Sequence, residues 1–361
     1  MSPRVCPCTP RHFALALTLA VMACHEPAEP VFRASTDASA RAGLLSLEDG
    51  VLAANEAGAV IRLDRAGAVR WRVALGREVA ARPVLAGDNV IVGTVGGDVV
   101  KLALSDGAER WRLTGEPPVL TAPVTDEAGS TVYLVAPDGA VRALSVETGQ
   151  VRWRLPAPKA EEARLAPARG PPAPVMAEGL LLLALGDAGL VAVSAQDGAV
   201  RWKQPLTGVL GLEVERGGLF AGTRSGRVVA LSLRDGSTRW NQQVAETLTG
   251  PPTRLLGTVW VGAGPAQLVG LAPADGHEVA RVTLPAPLVT QVGTAFGTLL
   301  LVPTNEREGR LVVLKAPAWD VALSLRTDTS LRTRPVVQGA QVFQLGQDGR
   351  VLSWKLRVPE P

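Results

Sequence analysis

Few side chains in this 361-residue chain have types suited to covalent or acid–base chemistry. The thiols are Cys6, Cys8 and Cys24, and the imidazoles are His12, His25 and His277. Apart from His277, all of them lie within the first 25 residues. A catalytic triad or a metal centre needs several such groups converging on one point, which that distribution does not offer. His277 follows the turn pair Asp275-Gly276 and reads as a surface residue. Carboxylates are interspersed with arginines, and no oxygen-rich cluster of the kind calcium requires stands out. Neither a phosphate-binding loop nor a dinucleotide fingerprint occurs. The expectation is a protein that is not an enzyme, with no catalytic, cofactor-binding or metal-ligating residue to assign. The thiol of Cys24 is the exception, because its surroundings suggest a use.

Arg4 and Arg11 precede an apolar run over residues 13–23 that ends at Cys24. The run is shorter than the roughly 20 residues a spanning helix needs, and it fits the apolar region of an export signal. Its end, Val21-Met22-Ala23-Cys24, resembles the lipobox of bacterial lipoproteins, in which cleavage leaves the Cys as a lipidated N-terminus. Residues 1–23 are therefore expected to be a signal peptide and residues 24–30 a lipidated tether. Removing Cys6 and Cys8 leaves Cys24 as the remaining thiol, so an intramolecular disulfide is excluded and lipidation is its expected use. Loss of Arg4 and Arg11 lowers the formal charge from +3 to +1, and no basic patch suggests nucleic acid.

The elements behind these groups are announced by a repeat. Arg-Trp recurs with Trp71, Trp111, Trp153, Trp202 and Trp240, at spacings of 40, 42, 49 and 38 residues. That period suits a propeller blade of four short strands with their turns. Each Trp follows the same local pattern, clearest over residues 139–153 (GAVRALSVETGQVRW) and 225–240 (SGRVVALSLRDGSTRW). A turn glycine opens an alternating strand, Asp-Gly or Thr-Gly makes the next turn, and Trp enters the outer strand. The turn-plus-strand element starts at Gly58, Gly97, Gly139, Gly189, Gly226, Ala266, Gly309 and Gly349, which gives eight blades. The sixth copy has Ala280 where Trp is expected, and Trp319 of the seventh is off register. The eighth copy stops at Pro361 without room for an outer strand. Phe32 lies 12 residues before Leu44, as Trp71 lies 12 before Pro83, so an N-terminal strand at residues 32–36 is expected to close the last blade. The recurring tryptophans are expected to pack blade against blade.

This pattern resembles the tryptophan-docking repeat of the pyrroloquinoline quinone propeller superfamily, Ala-x-Asp-x-x-Thr-Gly-x-x-x-Trp. Ala143, Thr148, Gly149 and Trp153 fit it, whereas Ser145, Ser194 and Ser232 replace its internal Asp. The resemblance implies an all-β, eight-bladed propeller over residues 31–361. For an anchored, non-catalytic member it implies an interaction scaffold at the periplasmic face of the outer membrane. Envelope proteins, among them the β-barrel assembly machinery, would be the partners, with a role in outer-membrane protein assembly. The alternative is a quinone-binding propeller, either a dehydrogenase or a sensor; such enzymes use the quinone with calcium, an Asp base and often an adjacent-cysteine disulfide.

One interval is long, that between Trp153 and Trp202. It contains the Pro- and Ala-rich stretch 156–174, which no uninterrupted strand could accommodate and which reads as an inserted loop. Glu161, Glu162, Arg164 and Arg169 make it a candidate partner-binding loop.

If Cys24 is the lipidated N-terminus, mass spectrometry of protein isolated from membranes will find a diacylglyceryl thioether there. An unmodified Cys24, or cleavage at another bond, would refute the assignment.

Overall fold

The computed structural model describes residues 28–158 and 171–357. Eight antiparallel four-stranded sheets form the blades of a closed propeller. Blade 1 runs through Leu45–Leu47, Gly50–Ala54, Ala59–Asp64 and Val69–Ala74, from channel to rim. The pattern repeats through blade 7, whose outermost strand is Asp320–Arg326. Blade 8 takes three strands from the C-terminal end, Val336–Gln338, Gln341–Leu345 and Arg350–Leu356. Its fourth is the N-terminal strand Ala28–Ser35, which pairs antiparallel with Arg350–Leu356 and sets Phe32 opposite Ser353. This strand begins at Ala28, inside the stretch read from sequence as a tether.

The middle strands do not alternate as the sequence pattern suggested. Gly50–Ala54 is buried at every position, and Val141–Ser145 at all but its last. Their two faces are covered by the two neighbouring blades, so both must be apolar, which accounts for runs such as Leu180–Ala184 and Leu299–Pro303. Outer strands have one covered face, and Val69–Ala74 accordingly buries Trp71 between exposed arginines. The apolar core is split into eight clusters, each drawn from two adjacent blades.

At five seams the same clasp appears. The indole N–H of Trp71 donates to the carbonyl of Leu104 in blade 2 at 2.8 Å. Trp111, Trp153, Trp202 and Trp240 donate likewise to Val146, Ala195, Leu233 and Pro273, at 2.8–3.0 Å. Each ring lies on the glycine of the next blade's outer turn. At Gly236 (φ +72°) a Cβ would come within 2.6 Å of the Trp202 ring, so the turn needs glycine for its backbone and for the indole. The Arg before each Trp occupies a bulge, which turns it to solvent while the indole stays inward.

Three seams depart from the rule. Between blades 8 and 1, Phe32 takes the docking position; it lacks an N–H, but its ring covers Gly67 so closely that a Cβ there would approach to 2.4 Å. Between blades 7 and 8 the docking position holds Leu323, opposite Val313. Between blades 6 and 7, Ala280 sits opposite Gly270, where blades 1 to 5 place Trp. Trp319 fills the space from the other side. Its backbone N–H bonds to the Lys315 carbonyl as Gly236 bonds to Ser232, so it stands in the turn-glycine position, with φ of 60°. Its ring meets Trp260 edge-on at 4.8 Å. What reads in sequence as a Trp off register is thus an exchange of large and small across the seam.

Trp202→Ala should lower stability by about 3–5 kcal/mol, the usual cost of emptying a buried indole site, and Trp319→Ala, which empties a half-buried one, by less. His277 is exposed and contacts Asp275 at 2.7 Å within its own turn, so His277→Ala should stay within about 0.5 kcal/mol of the parent. Urea titration of the three variants checks both statements.

Candidate binding face and channel mouth

The strand directions divide the ring into two faces. On one, connections between blades are hydrogen-bonded to turns joining second and third strands, as in Leu75 N–H to Gly58 O (2.8 Å) and Thr327 N–H to Gly309 O (3.0 Å). On the other, the Asp-Gly turns meet the first hairpins, as in Leu104 N–H to Asp88 O and Val146 N–H to Ser130 O, both 2.9 Å. The Asp-Gly face is built by local hydrogen bonding. Asp235 accepts from the backbone N–H and the hydroxyl of Ser237, which holds its carboxyl down at about 2.

The stretch 156–174 leaves the outer strand Val151–Leu155 of blade 3 and enters the inner strand Val175–Ala177 of blade 4. Its described ends, residues 156–158 and 171–174, therefore lie on the connection face. Its far end is fixed by the Thr121 hydroxyl, which donates to the Pro171 carbonyl at 2.7 Å. Glu161, Glu162, Arg164 and Arg169 lie outside the described residues, as does Cys24. The five tryptophans lie at the seams, where their rings serve packing between blades.

A buried ion pair stands on the blade 2–blade 3 seam of this face. Arg142, on the strand Val141–Ser145, pairs with Glu116 of the connection from blade 2. Its side chain is 4% exposed, and its Nε and Nη2 make no hydrogen bond. Burial, with Arg154 nearby, lowers the proton affinity of the guanidinium. The strand register puts Ile61, Val100, Val191, Val229, Val269, Val312 and Leu352 at the same position in the other blades. Arg142 was thus visible as the polar departure in GAVRAL, although its burial was not.

The channel opens on the same face through a cavity of about 590 Å³. Arg41, Arg82, Arg332 and Arg334 line it, and among the described residues no carboxylate does. Arg41 is paired with Glu56 and Glu78, and Arg332 Nε donates to Asn305 Oδ1 at 2.9 Å. Among the described residues, neither Arg82 nor Arg334 has an ion-pair or hydrogen-bond partner. Arg82 is accessible through the mouth, yet enclosed enough that lost hydration, helped by the charge of Arg334, lowers its proton affinity. Glu213 lines the adjoining part of the channel, and burial raises its carboxyl above the usual range.

The arginine-rich lining of the mouth offers no set of oxygen ligands for a calcium ion among the described residues. Among the described residues no three His, Cys, Asp or Glu side chains come together to hold a metal, and the described chain contains no cysteine. Nor is any helix among them long and apolar enough to cross a membrane.

A family model described as outer membrane protein assembly factor BamB matches residues 56–209 and again 207–360. The crystal structure of BamB from Moraxella catarrhalis superposes with a TM-score of 0.75 at 18% identity, covering 92% of this chain and 99% of that one. A computationally designed protein, Ika8, gives 0.76 at 14% identity over 89% and 98% of the two chains. The quinohemoprotein alcohol dehydrogenase of Comamonas testosteroni gives 0.74 at 14%, over 93% of this chain and 78% of that one. No curated protein matches the sequence significantly. At these identities the superpositions establish the fold and leave activity open.

Breaking the buried pair by Glu116→Gln should cost about 3–5 kcal/mol, since it strands the Arg142 charge. Adding Arg142→Val, the residue type of the neighbouring blades, should restore stability to at least the parental level. Thermal denaturation of both variants tests this.

Proposed function

Because the chain belongs to the family of outer membrane protein assembly factor BamB, we propose that it is a non-catalytic interaction scaffold of the bacterial envelope. In this reading Cys24 carries a lipid that holds the ring at the periplasmic face of the outer membrane. The ring then presents its connection face to envelope proteins, among them the β-barrel assembly machinery, and aids outer-membrane protein assembly.

The observation that carries the reading is the family match over both halves of the ring, residues 56–360 taken together. The chemistry agrees with it. Conserving energy in a rigid frame and placing variable loops on one face is how scaffolds create binding surfaces, and the longest such loop here joins blades 3 and 4. Among the described residues no three His, Cys, Asp or Glu side chains come together to hold the metal a quinone-dependent dehydrogenase uses.

The test is affinity purification from cross-linked envelopes. The parent chain should co-purify components of the β-barrel assembly machinery. Deleting residues 158–172 should leave the thermal transition nearly unchanged and reduce that recovery several-fold. Undiminished recovery by a well-folded deletion variant would remove the loop from the interface. Absence of any assembly component with the parent chain, together with dye-linked oxidation of alcohols or sugars on adding the quinone and calcium, would overturn the scaffold reading.

A further inference from the structure

We propose that the channel mouth is a binding site for a small, multiply charged oxyanion, held between Arg82 and Arg334.

The two arginines hold equivalent places in the repeat. Each directly precedes the proline that leads into an inner strand, Pro83 before Val84–Ala86 and Pro335 before Val336–Gln338. The same place is Ala122 in blade 3 and Ala173 in blade 4, so the position does not require a charge to fold. Blades 2 and 8 flank blade 1, where the equivalent residue is Gly43, with φ of +80°. A Cβ on Gly43 would meet the Arg82 side chain at 3.8 Å, so glycine leaves the space between the two guanidinium groups free of a side chain.

Like charges facing one cavity are unfavourable unless something compensates them, and the described residues compensate these two only in part. Arg41 is already neutralised by Glu56 and Glu78, while among the described residues no carboxylate lines the mouth. Glu213 lines the adjoining part of the channel together with Arg82 and feels the charge of Arg334, but it makes no ion pair within 4 Å among the described residues and burial makes it harder to ionise. Walls of low dielectric concentrate the resulting positive field in the cavity and attract anions to it. Guanidinium groups carry planar forks of donors that match phosphate and carboxylate oxygens in bidentate geometry. Arg332, whose Nε is committed to Asn305, and the neutral side chains of Thr290 and Gln291 border the same space. A cavity of about 590 Å³ far exceeds a bare phosphate, so the ligand class is a phosphate ester or a small polycarboxylate.

The test uses the purified chain at constant ionic strength, comparing phosphate, succinate and chloride by thermal denaturation and by calorimetric titration. Phosphate or succinate at millimolar concentration should raise the transition by on the order of 2 °C or more over chloride, with one ion bound per chain. A larger effect of phosphate assigns the ester, and a larger effect of succinate assigns the polycarboxylate. R82Q/R334Q should lose the shift, and in chloride it should melt no lower than the parent, because it also removes the mutual repulsion. No shift over chloride in the parent chain, or an equal shift in parent and double variant, would overturn the proposal. Should the variant fail to fold, the parent calorimetry decides alone, with absence of single-site binding counting against it.

Discussion

Each blade of this propeller is unstable as a separate object, because its middle strands are apolar on both faces and must be covered from both sides. The seam between blades is therefore the unit of stability, and the docking of an indole onto a neighbour's turn is its recurring fastener. The indole does two things at once. Its ring buries a large apolar area against a glycine that offers no side chain, and its N–H satisfies a carbonyl of the next blade that the seam would otherwise desolvate. Because the contact joins consecutive blades, it transmits order round the ring from blade 1 to blade 6.

The remaining seams show which part of the fastener is indispensable. Between blades 6 and 7 the indole comes from the turn instead of the outer strand, Trp319 occupying the glycine's place and Ala280 the tryptophan's. Volume across the seam is conserved while its ownership changes, as expected of an interior packed at close to crystalline density. Between blades 8 and 1 Phe32 supplies the ring alone, and it does so from the opposite end of the chain. Closure thus ties residues 28–35 to residues 350–356, and neither end of the described propeller presents an unpaired terminal blade.

Because strength resides in the seams, the two faces are free to differ. The Asp-Gly face is repetitive, with its turns held by short local hydrogen bonds such as those at Asp235. The connection face is where this chain departs from its own repeat: the buried Arg142–Glu116 pair and the arginines at the channel mouth. Such features can vary without touching the seams.

Sequence alone determined the architecture because its cause is periodic: Trp71 to Trp240 mark the seams, turn glycines from Gly58 to Gly349 count the blades, and the 12-residue offset of Phe32 from Leu44 locates the closing strand. Each of these is a local requirement repeated at fixed spacing, so it survives in one dimension. Features that depend on two blades meeting were decided only by the tertiary structure. Trp319 looks displaced until the blade 6 seam shows the gap it fills, and Arg142 looks like any strand arginine until blade 2 buries it against Glu116. Arg82 and Arg334, 252 residues apart, come to share one cavity only because the ring closes. Periodic packing is written in the order of residues, whereas the pairing of charges across a closed ring is set by its curvature.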